Sequence, residues 1–141
     1  MKNADWTLDH IGHAVEDLEA AVEFYTKVLG FSEQCRERIE EQGVDVVFVV
    51  SQGACIELLA PISENDTAGN NTLRNFLDSK GEGIHHICYE VASIGEQLKR
   101  LTAEGVRLVD STPRAGSRDS QIAFIHPKST YGVLIELCSY E

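Results

Sequence analysis

Apolar positions along this chain follow two rhythms, an alternating one and a helical one, and the same succession of rhythms occurs twice. Leu8-Asp9-His10-Ile11-Gly12-His13-Ala14-Val15 is a β-prone run, and from Asp17 onward Leu18, Val22, Tyr25, Val28 and Leu29 fall at helical spacing. Ile84-His85-His86-Ile87-Cys88-Tyr89-Glu90-Val91 repeats the first run, and Ile94, Leu98 and Leu101 repeat the second. Asp17 and Gly30 suit the two ends of the first predicted helix. Ser93 and Glu96 have capping-box spacing at the start of the second, and Gly105 closes it. Each helix is followed by β-rich segments, at 31–38, 44–50 and 55–59 and then at 107–110, 121–126 and 133–137. Each half therefore reads β-α-β-β-β, and the chain is an internal duplication.

Between the halves, 61–83 is rich in polar and turn residues around the short apolar stretch Thr72 to Leu77, which predicts one or two helical turns in a linker. A module of about 50 to 60 residues buries little of its own surface, so the modules are expected to pair. The expectation is one α+β domain over 1–141, with module one at about 8–60 and module two at about 84–138. Its two paired βαβββ modules would form a concave, barrel-like mixed sheet.

Composition narrows the chemistry. Twelve basic against 23 acidic residues give a net charge of −11, which argues against a nucleic-acid partner. No apolar run approaches the ~20 residues of a membrane span, and the first residues do not resemble a signal peptide. Cys35, Cys55, Cys88 and Cys138 are scattered, with no Cys-x-x-Cys pair, so neither a zinc ribbon nor a disulfide framework is indicated. A reducing, cytoplasmic location is expected.

Strand parity selects the candidate site. His10 shares a face with Gly12 and Ala14, and His86 with Cys88 and Glu90. In the closing strands Glu57 lies with Cys55 and Leu59, and Glu136 with Leu134 and Cys138. The opposite, mostly apolar faces are expected to take the helices. An ionised carboxylate inside an apolar strand costs several kcal/mol unless compensated. A divalent cation held by His10, Glu57, His86 and Glu136 would compensate both carboxylates and leave positions open for water or substrate. His13 and His85 fall on the opposite parity and read as structural. The cysteines that share the candidate face read as small buried apolar residues. Arg114, Arg118 and Lys128 lie in turns, either as plain surface charge or as contacts for an anionic ligand.

The pairing of β-α-β-β-β modules around His, Glu, His and Glu resembles the vicinal oxygen chelate (glyoxalase/bleomycin resistance/dioxygenase) superfamily and, within it, the methylmalonyl-CoA epimerase family. The resemblance runs from about Leu8 to Cys138. It is carried by Asp9-His10-Ile11, Glu41-Gln42-Gly43-Val44, Ile56-Glu57-Leu58-Leu59-Ala60-Pro61, Gly81-Glu82-Gly83-Ile84-His85-His86-Ile87, and the His126-Pro127-Lys128-Ser129-Thr130 turn before Gly132 to Leu137. The resemblance implies that His10, His86 and Glu136 are metal ligands and that Glu57 takes a fourth position. The metal implied is a divalent ion such as Co, Mn, Ni or Zn. Some relatives carry an acid/base Glu in the strand after the Glu-Gln-Gly turn. Val46 stands there in this chain, with Asp45 adjacent on the other face.

The implied activity is epimerisation of an acyl-CoA substrate, methylmalonyl-CoA, by removal and return of its α-proton, with the metal stabilising the enediolate-like anion. Glu136 is the first choice as the catalytic acid/base, with Glu57 as its counterpart. Arg114, Arg118 and Lys128 are the candidates for the CoA phosphates, and a homodimer is implied. The alternatives are a glyoxalase I-type lactoylglutathione lyase, an extradiol dioxygenase, or a metal-free small-molecule binder of the same fold.

Overall fold

The structure is a computed structural model that describes residues 5–62 and 72–140. The chain forms two compact units, one of residues 11–85 and one of residues 1–10 with 86–141. Strand β1 (Thr7–Ala14) supplies its first residues to one unit and its last to the other.

In the unit of residues 11–85, helix α1 (Leu18–Glu23) follows β1, then come β2 (Ser32–Ile39), β3 (Val44–Ser51), β4 (Ala54–Pro61) and helix α2 (Thr72–Lys80). Strands β2, β3 and β4 are successively antiparallel, while β1 lies parallel to β4 with Gly12 opposite Glu57. Asp17 caps α1 as expected, its side chain accepting from the Ala20 N–H. Leu18, Ala21, Val22 and Tyr25 pack on Val47, Val49, Ile56 and Leu58. The predicted helix continues beyond Glu23 as a wider π-helical turn, Phe24–Val28, in which Leu29 N–H donates to the Phe24 carbonyl. The Thr26 hydroxyl donates to the Val22 carbonyl at 2.8 Å and competes for the acceptor that an ordinary α-helical bond would use. The opposite sheet face carries Ala14, Val46, Phe48 and Leu59, and it is covered by Leu73, Phe76 and Leu77 of α2. The linker helix thus has nine residues and a packing role.

The other unit repeats this plan. Strand β5 (Gly83–Glu90) leads into helix α3 (Ile94–Ala103), followed by β6 (Arg114–Ala115), β7 (Gln121–Ile125) and β8 (Ile135–Ser139). From His86 onward β5 lies in this unit, and it is parallel to β8 with Cys88 opposite Glu136, while β6, β7 and β8 are antiparallel. Ile94, Leu98 and Leu101 of α3 pack on Tyr89, Ala123, Ile125, Ile135 and Leu137. Both helices α1 and α3 therefore occupy the apolar faces that parity assigned to them. Ser93 stands at the N-cap of α3 in extended conformation, but its side chain makes no cap hydrogen bond, and nothing in the structure explains this departure from the capping box.

One predicted strand is absent. Residues 107–110 make a single bridge, Leu108 to Ile125, and the short edge strand lies later, at Arg114–Ala115. Asp110 Oδ2 accepts the Phe124 N–H at 2.9 Å, so a side chain stands where a ladder carbonyl would. Pro113 has no N–H to offer a ladder.

Leu137 is fully buried between α3 and β7. Replacing it with Ala removes buried methyl groups and leaves a cavity, and the expected cost is about 3 kcal/mol of unfolding free energy, measured by denaturant titration.

Candidate metal centre

The two closing strands are built alike around their glutamates. Glu57 pairs with Phe48 on its antiparallel side and with Gly12 on its parallel side. Glu136 pairs with Phe124 and with Cys88 in the same sense. Gly12 and Cys88 lie two residues beyond His10 and His86 on the same strand faces, so register repeats the His-then-Glu relation that sequence parity implied. His10, His86, Glu57 and Glu136 are all buried, with 4–6% of their surface exposed.

His10, His86 and Glu136 come together. Their Nε2 atoms and the Glu136 Oε1 form a triangle: Nε2 to Nε2 is 3.2 Å, His86 Nε2 to Oε1 is 3.1 Å, and His10 Nε2 to Oε1 is 3.3 Å. Despite these distances, Glu136 Oε1 has no hydrogen-bond partner and no exposed surface. A carboxylate oxygen that approaches two imidazole nitrogens without a hydrogen bond to either is a convergence of lone pairs, and it suits a cation at its centre. Burial alone would raise the Glu136 carboxyl, but in the metal-free protein the His86 and His10 imidazoles, when protonated, outweigh it and hold the group below the ordinary carboxylate range. Phe124 meets the His86 ring edge to face at 5.9 Å and walls that side with carbon.

His10 is oriented from behind. Its Nδ1 lies 2.6 Å from Asp9 Oδ2, and since a carboxylate only accepts, Nδ1 carries the proton; in the neutral ring Nε2 then presents a lone pair. Asp9 is in turn held by Arg118 Nη2 at 2.5 Å and by the Tyr140 hydroxyl at 3.0 Å. Although burial opposes it, this company of His10, Arg118 and Tyr140 holds the Asp9 carboxyl below its ordinary value. Strand alternation points neighbouring residues such as Asp9 and His10 to opposite faces, and only the side-chain geometry reveals their contact. The Asp9-His10 adjacency was the available signal.

The remaining candidates separate. His13 Nδ1 is 2.9 Å from the Tyr25 hydroxyl, and His85 meets Phe76 edge to face at 4.8 Å, so both take part in packing. Cys88 and Cys138 are buried with Asp9 close by, and the Cys88 thiol is pushed up by its hydrogen bond with Cys138, by burial and by the Glu136 charge, which keeps it protonated. Val46 is buried against α2 and has no acid/base group, while Asp45 pairs with Arg38 at 2.7 Å. Arg118 is committed to Asp9 and Tyr140, and Arg114 pairs with Asp110 and stacks on Phe124. Lys128 lies in the Pro127–Ser129 turn, beside His126.

Imidazole binds metal only when neutral. Metal loading is therefore expected to be lost on acidification, as protons compete with the metal for the two imidazoles. Equilibrium dialysis against Co2+ as the pH is lowered checks the sign; loading that rises on acidification contradicts it.

Duplicated βαβββ sequence repeats, each with a buried His in the first strand and a buried Glu in the last, define the class of the protein as a vicinal oxygen chelate fold. Residues 9–124 match the Glyoxalase/Bleomycin resistance protein/Dioxygenase superfamily. The chain is 40% identical over 131 residues to the uncharacterized protein YqjC of Bacillus subtilis, covering 93% of this chain and 90% of that one. It is 37% identical over 132 residues to the ethylmalonyl-CoA/methylmalonyl-CoA epimerase of Cereibacter sphaeroides, covering 92% and 95%. A solved structure of methylmalonyl-CoA epimerase in complex with methylmalonyl-CoA and NH4+ superposes with a TM-score of 0.82 at 38% identity, covering 94% and 92%. The chain belongs to this superfamily and, within it, to the methylmalonyl-CoA epimerase family.

Proposed function

We propose that this protein is a metal-dependent epimerase that interconverts (R)- and (S)-methylmalonyl-CoA. The observation that carries the reading is the buried Glu136 Oε1, which stands without a hydrogen bond 3.1 and 3.3 Å from two imidazole nitrogens. His10, His86 and Glu136 would hold a divalent ion, and Glu57 would be the fourth ligand. Its burial in an apolar strand and its register opposite Gly12, two residues along β1 from His10, support that role. Co, Mn, Ni and Zn all suit a nitrogen and oxygen donor set.

In the substrate the α-carbon lies between a thioester and a carboxylate, so loss of its proton places negative charge on the two carbonyl-type oxygens. When bound, the cation supplies Lewis-acid stabilisation of that charge. Inversion then requires a proton to leave one face of the carbon and arrive at the other. Glu136 is the proposed base, and Glu57 is the proposed acid that returns the proton. The reaction is redox-neutral and returns the proton to the same carbon, so no further co-reactant is needed. The apolar edges of Phe124 and Phe48, paired with the two glutamates, would exclude competing water.

The wider setting follows the family resemblance: an acyl-CoA substrate and a homodimer. A cytoplasmic location is proposed with them, and no helix among the described residues is long and apolar enough to cross a membrane. The direct assay supplies (2S)- or (2R)-methylmalonyl-CoA to protein stripped by a chelator and to protein reloaded with Co2+. Epimerisation only after reloading, with no turnover of a glutathione hemithioacetal, is the expected outcome. Turnover of the hemithioacetal alone would make the protein a glyoxalase.

A further inference from the structure

The β6–β7 connection has an unusual backbone. Arg118 and Asp119 both lie in the left-handed region, at φ 54° and φ 58°, which non-glycine residues adopt at a cost. Gly116, just before them, is packed so closely that a Cβ there would stand 2.5 Å from Ile122 Cγ2, so the turn is held tight against β7. Its outcome is the placement of one guanidinium. Arg118, only about one-fifth exposed, reaches back to Asp9 Oδ2 at 2.5 Å and to the Tyr140 hydroxyl at 2.6 Å, and its ring-facing side lies 5.5 Å from the Tyr140 ring centre. Tyr140 closes the third side, with its oxygen 3.0 Å from both carboxylate oxygens of Asp9. Three segments far apart in sequence thus converge on one carboxylate, and that carboxylate faces His10 Nδ1 at 2.6 Å.

We infer that Asp9, clamped by Arg118 and Tyr140, is a positioning residue that fixes the proton of His10 on Nδ1 and so keeps its Nε2 lone pair directed at Glu136 and His86. Arg118 makes the role specific. Its Nη2 also lies 3.5 Å from His10 Nδ1, so without the Asp9 carboxylate the neighbour of Nδ1 would be a donor. A donor there favours an unprotonated Nδ1 and moves the ring proton to Nε2, into the space between His10, His86 and Glu136. The carboxylate therefore does more than fill space, because it decides which nitrogen is available. Asp9 also raises the basicity of the ring it accepts from, as carboxylates beside ligating histidines do. This inference rests on the metal reading proposed above for the consequence, though not for the tautomer itself.

The test uses the full chain and two readouts. Long-range 1H–15N correlation of the metal-free protein at about pH 8, above the ordinary imidazole range, reports which His10 nitrogen carries hydrogen. Wild type is expected to show Nδ1–H, and Asp9→Ala to shift the proton to Nε2. Competition for Co2+ against a fluorescent chelator is expected to show 10- to 100-fold weaker binding by Asp9→Ala. Asp9→Asn, whose amide oxygen still accepts from Nδ1–H, should keep the tautomer and lose less affinity; it also serves should Asp9→Ala fail to fold. Wild-type His10 protonated at Nε2, or folded Asp9→Ala and Asp9→Asn binding Co2+ within threefold of wild type, overturns the clamp. Wild type that takes up no Co2+ overturns the metal reading alone, and the ring-nitrogen spectra then decide the clamp.

Discussion

Glu136→Gln is expected to lower the rate of methylmalonyl-CoA epimerisation by about a thousandfold while leaving the protein folded. Gln has the shape of Glu but neither its charge nor its basicity. The wild-type group sits buried opposite Phe124 and Cys88, with Oε1 beside two imidazoles that hold it ionised. Losing a positioned acid/base removes about 10²–10⁴ in rate, and the lost negative charge also weakens the hold on a cation. Separating the two contributions requires the metal to be saturating. The expected result is that excess Co2+ restores metal content but not turnover. Restoration of turnover by metal alone would assign Glu136 to binding and leave the proton transfer to another group.

His86→Ala is expected to abolish stoichiometric metal uptake and to lower epimerisation by more than about 100-fold, beyond what loss of an outer hydrogen-bond partner costs. The change takes away one of the two imidazole nitrogens and the edge-to-face partner of Phe124, so the centre loses a ligand and part of its wall. His85→Ala is the matched comparison. His85 packs on Phe76, and its loss should cost stability without removing metal. Metal content after purification and reloading, measured by elemental analysis beside a denaturation curve, distinguishes the neighbours. Equal metal loss in both variants would contradict the parity assignment.

Much of this arrangement was legible from periodicity. Alternation placed His10, His86, Glu57 and Glu136 on strand faces away from helices α1 and α3, because the period-2 pattern ties side-chain direction to sequence position. Two things were not legible. The strand expected at 107–110 gave way to a bridge because the Asp110 carboxylate, in place of a backbone carbonyl, accepts the Phe124 N–H of β7. A propensity pattern does not register such a substitution. The clamp on His10 was hidden for a different reason: Asp9, Arg118 and Tyr140 are distant in sequence, and Arg118 reaches its place through two left-handed residues that no periodicity marks. Sequence reading treated Arg118 as a candidate phosphate contact, and the structure gives it Asp9 and Tyr140 as partners.

The central claim is that the chain removes and returns the α-proton of methylmalonyl-CoA at this centre. Its most direct measurement is proton NMR of methylmalonyl-CoA incubated in D2O with Co2+-loaded protein. The account predicts that the α-hydrogen signal is replaced by deuterium at a rate set by the protein, that a chelator stops the exchange, and that Glu136→Gln does not support it. An α-hydrogen that stays in place with fully metal-loaded wild-type protein contradicts the account.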